Sequence, residues 1–312
     1  MPNFEKEKKI AVDSVYKASE ITEWFKKRGF KSYLKSDSSP VTLADYASQI
    51  FILSNIKKQF PDDEIIAEEE NGDFLSQEEK DIIKQCFDDL DLGELEDLNE
   101  IIKYRGDLSS RQWTIDPIDG TAGYQEKLTY AIGVGLMLES IPKISAVAVP
   151  NYNQETLALF SAEENQGTQV SLGGKAFKPV QVSQVEDLKE VRLCHSLHYD
   201  KPWVLRFAEK YGVKNFIQID SMAKFCMVAD GSADLYIKPL DVRNSFSWDF
   251  MPGDLIVREA GGNVTDLNGN SLRFKKNKCL WTAPGIFASN FGLQNKILNL
   301  FKNDFPSDKS II

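Results

Sequence analysis

Two aspartates stand three positions apart in the run Trp113-Thr114-Ile115-Asp116-Pro117-Ile118-Asp119-Gly120-Thr121. The proline between them fixes φ and removes an N–H donor. Gly120 lets the chain turn sharply, and Thr121 adds a hydroxyl at the same place. Trp113 to Ile115 reads as the end of a buried strand, so the acids emerge at the rim of a sheet, where open α/β folds bind ligands. Carboxylates gathered in a low dielectric repel one another, and the usual remedy is a bound cation. Hard oxygen ligands with no nearby His or Cys favour Mg²⁺ or a similar ion over zinc. The plainer alternative is an Asx-type turn with two solvated acids.

A metal cluster that works on phosphate needs further carboxylates, a group to activate water and donors for the phosphate oxygens. Upstream, Ile65-Ile66-Ala67-Glu68-Glu69-Glu70 is a short apolar run ending in three acids. Glu68, directly off the apolar stretch, can point into a site while Glu69 and Glu70 stay solvated; a charge run by itself is usually a solvated face. Downstream, Ser247-Trp248-Asp249 leads into a helix-like run, which puts Asp249 near a helix N-terminus, and Gly261-Gly262 reads as that helix's stop. Thr42 is a plausible N-cap with Asp45 in the first turn, and a capping role alone would account for Asp45.

The elements that must carry these residues are mixed. Residues 4–29 read as an amphipathic helix ending at Gly29, and Leu43 to Phe60 as a second, with Leu43, Tyr46, Ile50 and Leu53 at helical spacing. The dense acids Asp88, Asp89, Asp91, Glu94, Glu96, Asp97 and Glu100 read as a solvated insertion over residues 86–100. Ile132, Val134, Leu136 and Leu138 alternate with Gly133 and Gly135, which is strand spacing with one close-approach face. A turn at Ser140-Ile141-Pro142-Lys143, then strands near Ile144 to Val149 and Thr156 to Ser161, make an antiparallel meander. Ser221 to Asp230 reads as helix and Leu235 to Ile237 as strand. At 312 residues the chain can bury a large core, and it divides into an α+β part over residues 1–150 and an α/β part over residues 151–312.

Net charge −10 and pI near 4.9 argue against nucleic acid or anionic membranes as partners, and no protein partner can be inferred. A phosphate-rich substrate must therefore find a local basic pocket; Lys224, Lys238 and Arg243 are candidates, although a single Lys or Arg is more often a surface group. Cys86, Cys194, Cys226 and Cys279 are scattered with no close pair, which reads as reduced thiols in a cytoplasmic enzyme. The N-terminus is charged without an apolar core segment, and no run approaches the length of a membrane span. His195 and His198 are the only histidines, and no cysteine or third histidine completes a zinc set with them.

Taken together, these motifs resemble those of the lithium-sensitive, Mg²⁺-dependent phosphatases of the inositol monophosphatase family. Asp116 to Thr121 matches that family's D-P-[IL]-D-[GS]-T motif. Trp248 to Gly262 matches its W-D-x-x-[AP]-G segment with an E-A-G-G ending, and Glu68 aligns with the first glutamate of its G-E-E segment. The segments occur in the family's order over most of residues 5–300. Departures are Ala67 where the family usually has Gly, and Met251-Pro252 where Ala-Ala is common. Val41-Thr42-Leu43-Ala44-Asp45 through Gln49, His195-Ser196-Leu197-His198 and Asp220 to Phe225 resemble segments of the 3'(2'),5'-bisphosphate nucleotidase branch.

The resemblance implies a layered α/β/α/β/α sandwich in which Glu68, Asp116, Asp119, Asp249 and the Ile118 carbonyl bind Mg²⁺, roughly two or three ions. It implies that Thr121, paired with Asp45, takes up the proton of the attacking water. Backbone N–H groups of Gly120 and Thr121 are placed to hold phosphate oxygens. By the same resemblance His195, Ser221, Lys224 and Lys238 contact the nucleoside or its remaining phosphate, with Lys238 where relatives often have Arg. The expected reaction is hydrolysis of the 3'-phosphate of adenosine 3',5'-bisphosphate to AMP. An inositol phosphate as substrate and a non-catalytic metal-bound nucleotide sensor are the alternatives.

Overall fold

The computed structural model describes residues 4–29, 31–35, 39–70, 75–95, 97–153, 156–198, 202–239, 246–274 and 285–304. Arg243, Cys279 and Glu96 lie outside these residues. The chain opens with helix α1 (Glu5–Arg28), a short hairpin of β1 (Ser32–Leu34) and β2 (Pro40–Thr42), and helix α2 (Leu43–Gln59). Strand β3 (Glu64–Ala67), helices α3 (Gln77–Asp89) and α4 (Leu98–Lys103), strand β4 (Arg111–Asp119) and helix α5 (Thr121–Gln125) follow. Strands β5 (Ala131–Leu138), β6 (Ile141–Tyr152), β7 (Thr156–Glu163), β8 (Gly167–Leu172) and β9 (Lys178–Val180) complete the first half. The remainder holds β10 (Arg192–His195), α6 (Pro202–Tyr211), β11 (Asn215–Gln218), α7 (Ala223–Ala229), β12 (Leu235–Pro239), α8 (Ser247–Glu259), β13 (Gly262–Asp266), β14 (Gly285–Asn290) and α9 (Phe291–Asp304).

A seven-stranded sheet runs in chain order from β3 to β9, and a five-stranded sheet has the order β11-β10-β12-β14-β13. Only β3 and β4 pair in parallel in the large sheet; β5 to β9 form the expected antiparallel meander. One face of the large sheet, with Trp113, Ile115, Val134, Leu136 and Ala146, packs on α1 and α2. Its other face, with Met137, Val147 and Phe160, packs on α7 and α8, whose far side meets Cys194, Tyr236, Ile286 and Ala288 of the small sheet. Leu193, Leu235, Ile237 and Phe287 on the outer face of the small sheet pack against α6 and α9. The succession is α/β/α/β/α, as the resemblance implied. Among the described residues no helix is long and apolar enough to cross a membrane.

Several local expectations shift. Residue 150 lies inside β6, and the sheets change between Val180 and Arg192. The turn before β6 is Glu139-Ser140, both at positive φ (53° and 67°), the two-residue geometry that suits strand twist; Ile141 to Lys143 already belong to β6. The acidic run is not a loose insertion, because Cys86 and Phe87 at the end of α3 and Ile101 and Ile102 in α4 are buried. Its described acids do face outward, and Asp97 caps α4 by accepting from Asn99 N and Glu100 N. Cys86, Cys194 and Cys226 are buried free thiols.

The close-approach face of β5 is borne out. A Cβ on Gly133 would stand 2.6 Å from Met222 Sδ, and one on Gly135 would stand 2.3 Å from Met251 Cε. Gly253 does the same between the central helices, where a Cβ would lie 2.3 Å from Cδ2 of the Phe225 ring. A ring held at 1% exposure has nowhere to go. Gly253→Ala should therefore force α7 and α8 apart and cost about 1–3 kcal/mol. A melting temperature within a degree of wild type would show that the helices have room to spare.

Candidate metal centre and active site

Residues three apart on a regular strand point to opposite faces. Asp116 and Asp119 nevertheless converge, because the β4–β5 register shifts between them, at the segment where Pro117 offers no N–H to the ladder. Asp116 Oδ1 accepts from Ile118 N at 3.1 Å. Gly120 then takes φ +87°, and a Cβ there would lie 3.2 Å from Ser221 Cβ, so both the conformation and the neighbour call for glycine. Asp249 comes from the first turn of α8, where its Oδ2 accepts from Phe246 N at 3.2 Å. One carboxylate oxygen from each of Asp116, Asp119 and Asp249 lies within 4.8 Å of the others. Asp116 is buried and the other two are partly so.

Such a group is electrostatically expensive. Burial, then Glu68, Asp119 and Asp249, push Asp116 far above the usual carboxylate range. Burial and then Asp119 push Asp249 upward as well. Burial also raises Asp119, with Lys224 and Lys238 pulling it back. A cluster of hard oxygen donors that resists its own charge fits a hard cation.

Asp45 is fully buried at the start of α2; its Oδ2 accepts from Thr42 N at 2.7 Å and Thr42 Oγ1 at 2.6 Å. Thr121 Oγ1 stands 3.3 Å from Asp45 Oδ1 and 3.0 Å from the Ile118 carbonyl oxygen. Burial pushes Asp45 up to about 7 against the two Thr42 bonds, with Glu68 adding to the rise. Capping and pairing with Thr121 are thus both done by this carboxylate, one oxygen each.

Glu68 faces the cluster through space, and its carboxylate is bound by Lys35 Nζ at 2.6 Å. The expectation that Glu69 is solvated is overturned. Glu69 is 3% exposed, its N–H donates to Gln49 Oε1 at 2.9 Å, and its carbonyl accepts from Gln49 Nε2 and Arg105 Nη2, each at 2.6 Å. Lys35 Nζ also reaches Glu69 at 2.7 Å; burial disfavours its charge, but Glu68 and Glu69 hold the ammonium firmly protonated. Sequence reasoning missed Lys35 and Glu69. The available signal was Gln49, a polar residue four after Asp45 on the buried stripe of α2.

Ser221 precedes α7 in a left-handed conformation (φ +68°), and Met222 N donates to Asp119, which fixes this segment to the acid cluster. Lys224 is 3% exposed, with Nζ 3.1 Å from the Ile219 carbonyl oxygen and 5.3 Å from the centre of the Tyr236 ring. Burial and then Lys238 lower it to about 8, while Asp119 and Asp220 oppose the fall. Lys238 Nζ lies 5.6 Å from the Phe250 ring centre. His195 is buried at the end of β10, edge-on to Phe216 at 5.6 Å. His198 does not join this group; it pairs with Asp220 and Glu126. A cleft of about 550 Å³ opens beside Asp220, lined by Leu128, Leu197, Ile217, Gln218 and Met227 and by none of the clustered acids.

Three kinds of likeness converge on this geometry. The model of the inositol monophosphatase family matches residues 4–303. The chain is 33% identical to a 3',5'-bisphosphate nucleotidase 2 from Arabidopsis thaliana, over 98% of the chain and 99% of the relative. It is 31% identical to a 3'(2'),5'-bisphosphate nucleotidase from Emericella nidulans, over 96% and 98%. Among solved structures it resembles an IMPase from Thermotoga maritima (TM-score 0.69, 21% identity, 96% and 97% of the two chains). It also resembles the extragenic suppressor protein suhB from Bartonella henselae (TM-score 0.68, 20% identity, 95% and 98%). A match across almost the whole chain, over a fold whose layers and acid cluster agree with it, makes this protein a member of the inositol monophosphatase family.

Proposed function

We propose that the chain is a Mg²⁺-dependent 3'(2'),5'-bisphosphate nucleotidase that hydrolyses the 3'-phosphate of adenosine 3',5'-bisphosphate to AMP and phosphate. The observation that carries this reading is positive charge set beside the acid cluster: the buried Lys224 and the partly buried Lys238 both act on Asp119. A phosphate that is to be cleaved can be neutralised by cations on the carboxylates, but a second phosphate needs cationic groups of its own. In a chain of net charge −10 that is a local exception. Relatives bearing the nucleotidase name over nearly the full length support the same substrate.

In this reading Glu68, Asp116, Asp119, Asp249 and the Ile118 carbonyl would hold the ions, which neutralise the phosphate and acidify water when bound. The chain's own part is proton handling and placement. Thr121 Oγ1 accepts a proton from the attacking water and passes its own to Asp45 Oδ1, 3.3 Å away. Asp45 is suited to receive it, since burial raises its basicity while Thr42 keeps the other oxygen fixed. The N–H groups of Gly120 and Thr121 turn toward the phosphate, and Ser221, Lys224, Lys238 and His195 orient the nucleotide. Breaking the phosphorus–oxygen bond frees the 3'-oxygen, which takes a proton from solvent water to become a hydroxyl, and the proton held by Asp45 returns to solvent.

Turnover of adenosine 3',5'-bisphosphate should greatly exceed that of inositol phosphates under Mg²⁺; the reverse order would assign the chain to an inositol phosphatase. Lys224→Ala should lower kcat/KM for the bisphosphate about 10- to 150-fold, the value of a charge-assisted contact of roughly 1.5–3 kcal/mol. A substrate with one phosphate should lose much less. Equal losses on both would place Lys224 in the fold or the shared phosphate site.

A further inference from the structure

The second histidine of His195-Ser196-Leu197-His198 has no part in the chemistry above, yet it sits on a bridge. Asp220 is 5% exposed and accepts from Ser196 Oγ at 2.6 Å, Leu197 N at 2.9 Å, His198 N at 3.4 Å and His198 Nδ1. The next residue, Ser221, is held in a left-handed conformation that a non-glycine residue adopts at a cost. Met222 N then reaches Asp119, and Lys224 follows on α7. The position of Asp220 thus sets three groups of the site. On its other side His198 Nε2 lies 3.4 Å from Glu126 Oε1, and Glu126 ends the short helix that Gly120 and Thr121 begin.

We propose that His198 is a positioning residue: as an imidazolium it ties the segment Asp220–Lys224 to α5 by bridging Asp220 and Glu126, and so fixes the nucleotide side of the site against the side that carries Thr121. Only the charged ring donates from both nitrogens, whereas the neutral ring donates from one. Charged groups that act on it include Asp220 from before α7 and Glu126 from the C-cap of α5, with Lys224 acting in turn on Asp220. The hydrogen bond to Asp220, opposed by burial and helped by Glu126, favours the charged ring, so His198 titrates above its ordinary range. The bridge is complete at low pH and is lost as pH rises through that raised value.

The kinetic arm of the test rests on the proposed activity; the spectroscopic arm does not. With two histidines in the chain, the imidazole NMR signal missing from His198→Gln belongs to His198. Its pKa should exceed the ordinary 6.5 and should fall in Glu126→Gln, a change at a side chain 59% exposed that leaves the fold intact. The same variant should raise KM for adenosine 3',5'-bisphosphate about threefold with kcat nearly unchanged, and flatten the rise of KM with pH that the bridge predicts for wild type. His198→Arg, which retains donors for both carboxylates, should recover much of the loss in His198→Gln. A His198 pKa indifferent to Glu126→Gln, or a loss confined to kcat, would overturn the proposal.

Discussion

Asp119→Asn should lower Mg²⁺-dependent turnover by about 10³-fold or more and at the same time raise the melting temperature of the protein kept in chelator. The two effects have one cause. Asp119 shares its surroundings with Asp116 and Asp249 and is one of the charges that push both upward. A neutral amide is a poor ligand for a hard cation, but it relieves like-charge repulsion in the metal-free state. Its carbonyl oxygen can still accept from Met222 N, so the contact with the segment before α7 survives. Added Mg²⁺ should stabilise wild type and leave the variant's melting temperature unmoved. Thermal unfolding with and without Mg²⁺, beside initial rates, decides the matter. An undiminished rate, or a variant that Mg²⁺ still stabilises as it does wild type, would remove Asp119 from the cluster's ligands.

Asp45→Asn should reduce kcat by about 10²- to 10⁴-fold while KM and the Mg²⁺ requirement stay near wild type, as for loss of a proton acceptor. An asparagine can keep an oxygen toward Thr42 N and Oγ1, which now lie 2.7 and 2.6 Å from the carboxylate. Its NH₂ then faces Thr121 Oγ1 as a donor, so the hydroxyl has no carboxylate to hand its proton to. The cap of α2 persists and a buried charge is removed, so folding should not suffer. A rate within twofold of wild type would leave Asp45 with its capping role alone.

What the sequence disclosed follows a physical line. Asp116, Asp119 and Asp249 were legible because their types are unusual beside buried apolar runs, and such placement is costly without a compensating role. Gly133 and Gly135 were legible because a strand interior gains nothing from glycine unless another backbone or side chain approaches. Lys35 was not, since a lysine after a three-residue strand carries no sign of the two glutamates it will meet. Glu69 followed a rule that holds for charge runs and failed here because Gln49 and Arg105 take its backbone. The Glu139-Ser140 turn lies two residues before the one expected from sequence because neither residue favours positive φ; the twist of β5 and β6 imposes it. The end of α3 was hidden for another reason: the acids of residues 86–100 mark the surface truthfully but say nothing of the helix beneath them.

The position of α8 has a consequence for how the protein comes into being on the ribosome. The strands of the large sheet can pair once Val180 has left the ribosome, yet the face that bears Met137, Val147 and Phe160 is covered by helices ending at Ala229 and Glu259. Until those helices emerge, a growing chain carries an apolar sheet face open to water beside two uncompensated aspartates, Asp116 and Asp119. A product cut short before Ser247 would keep α7 but lack α8, and would leave that helix's share of the apolar face open to association.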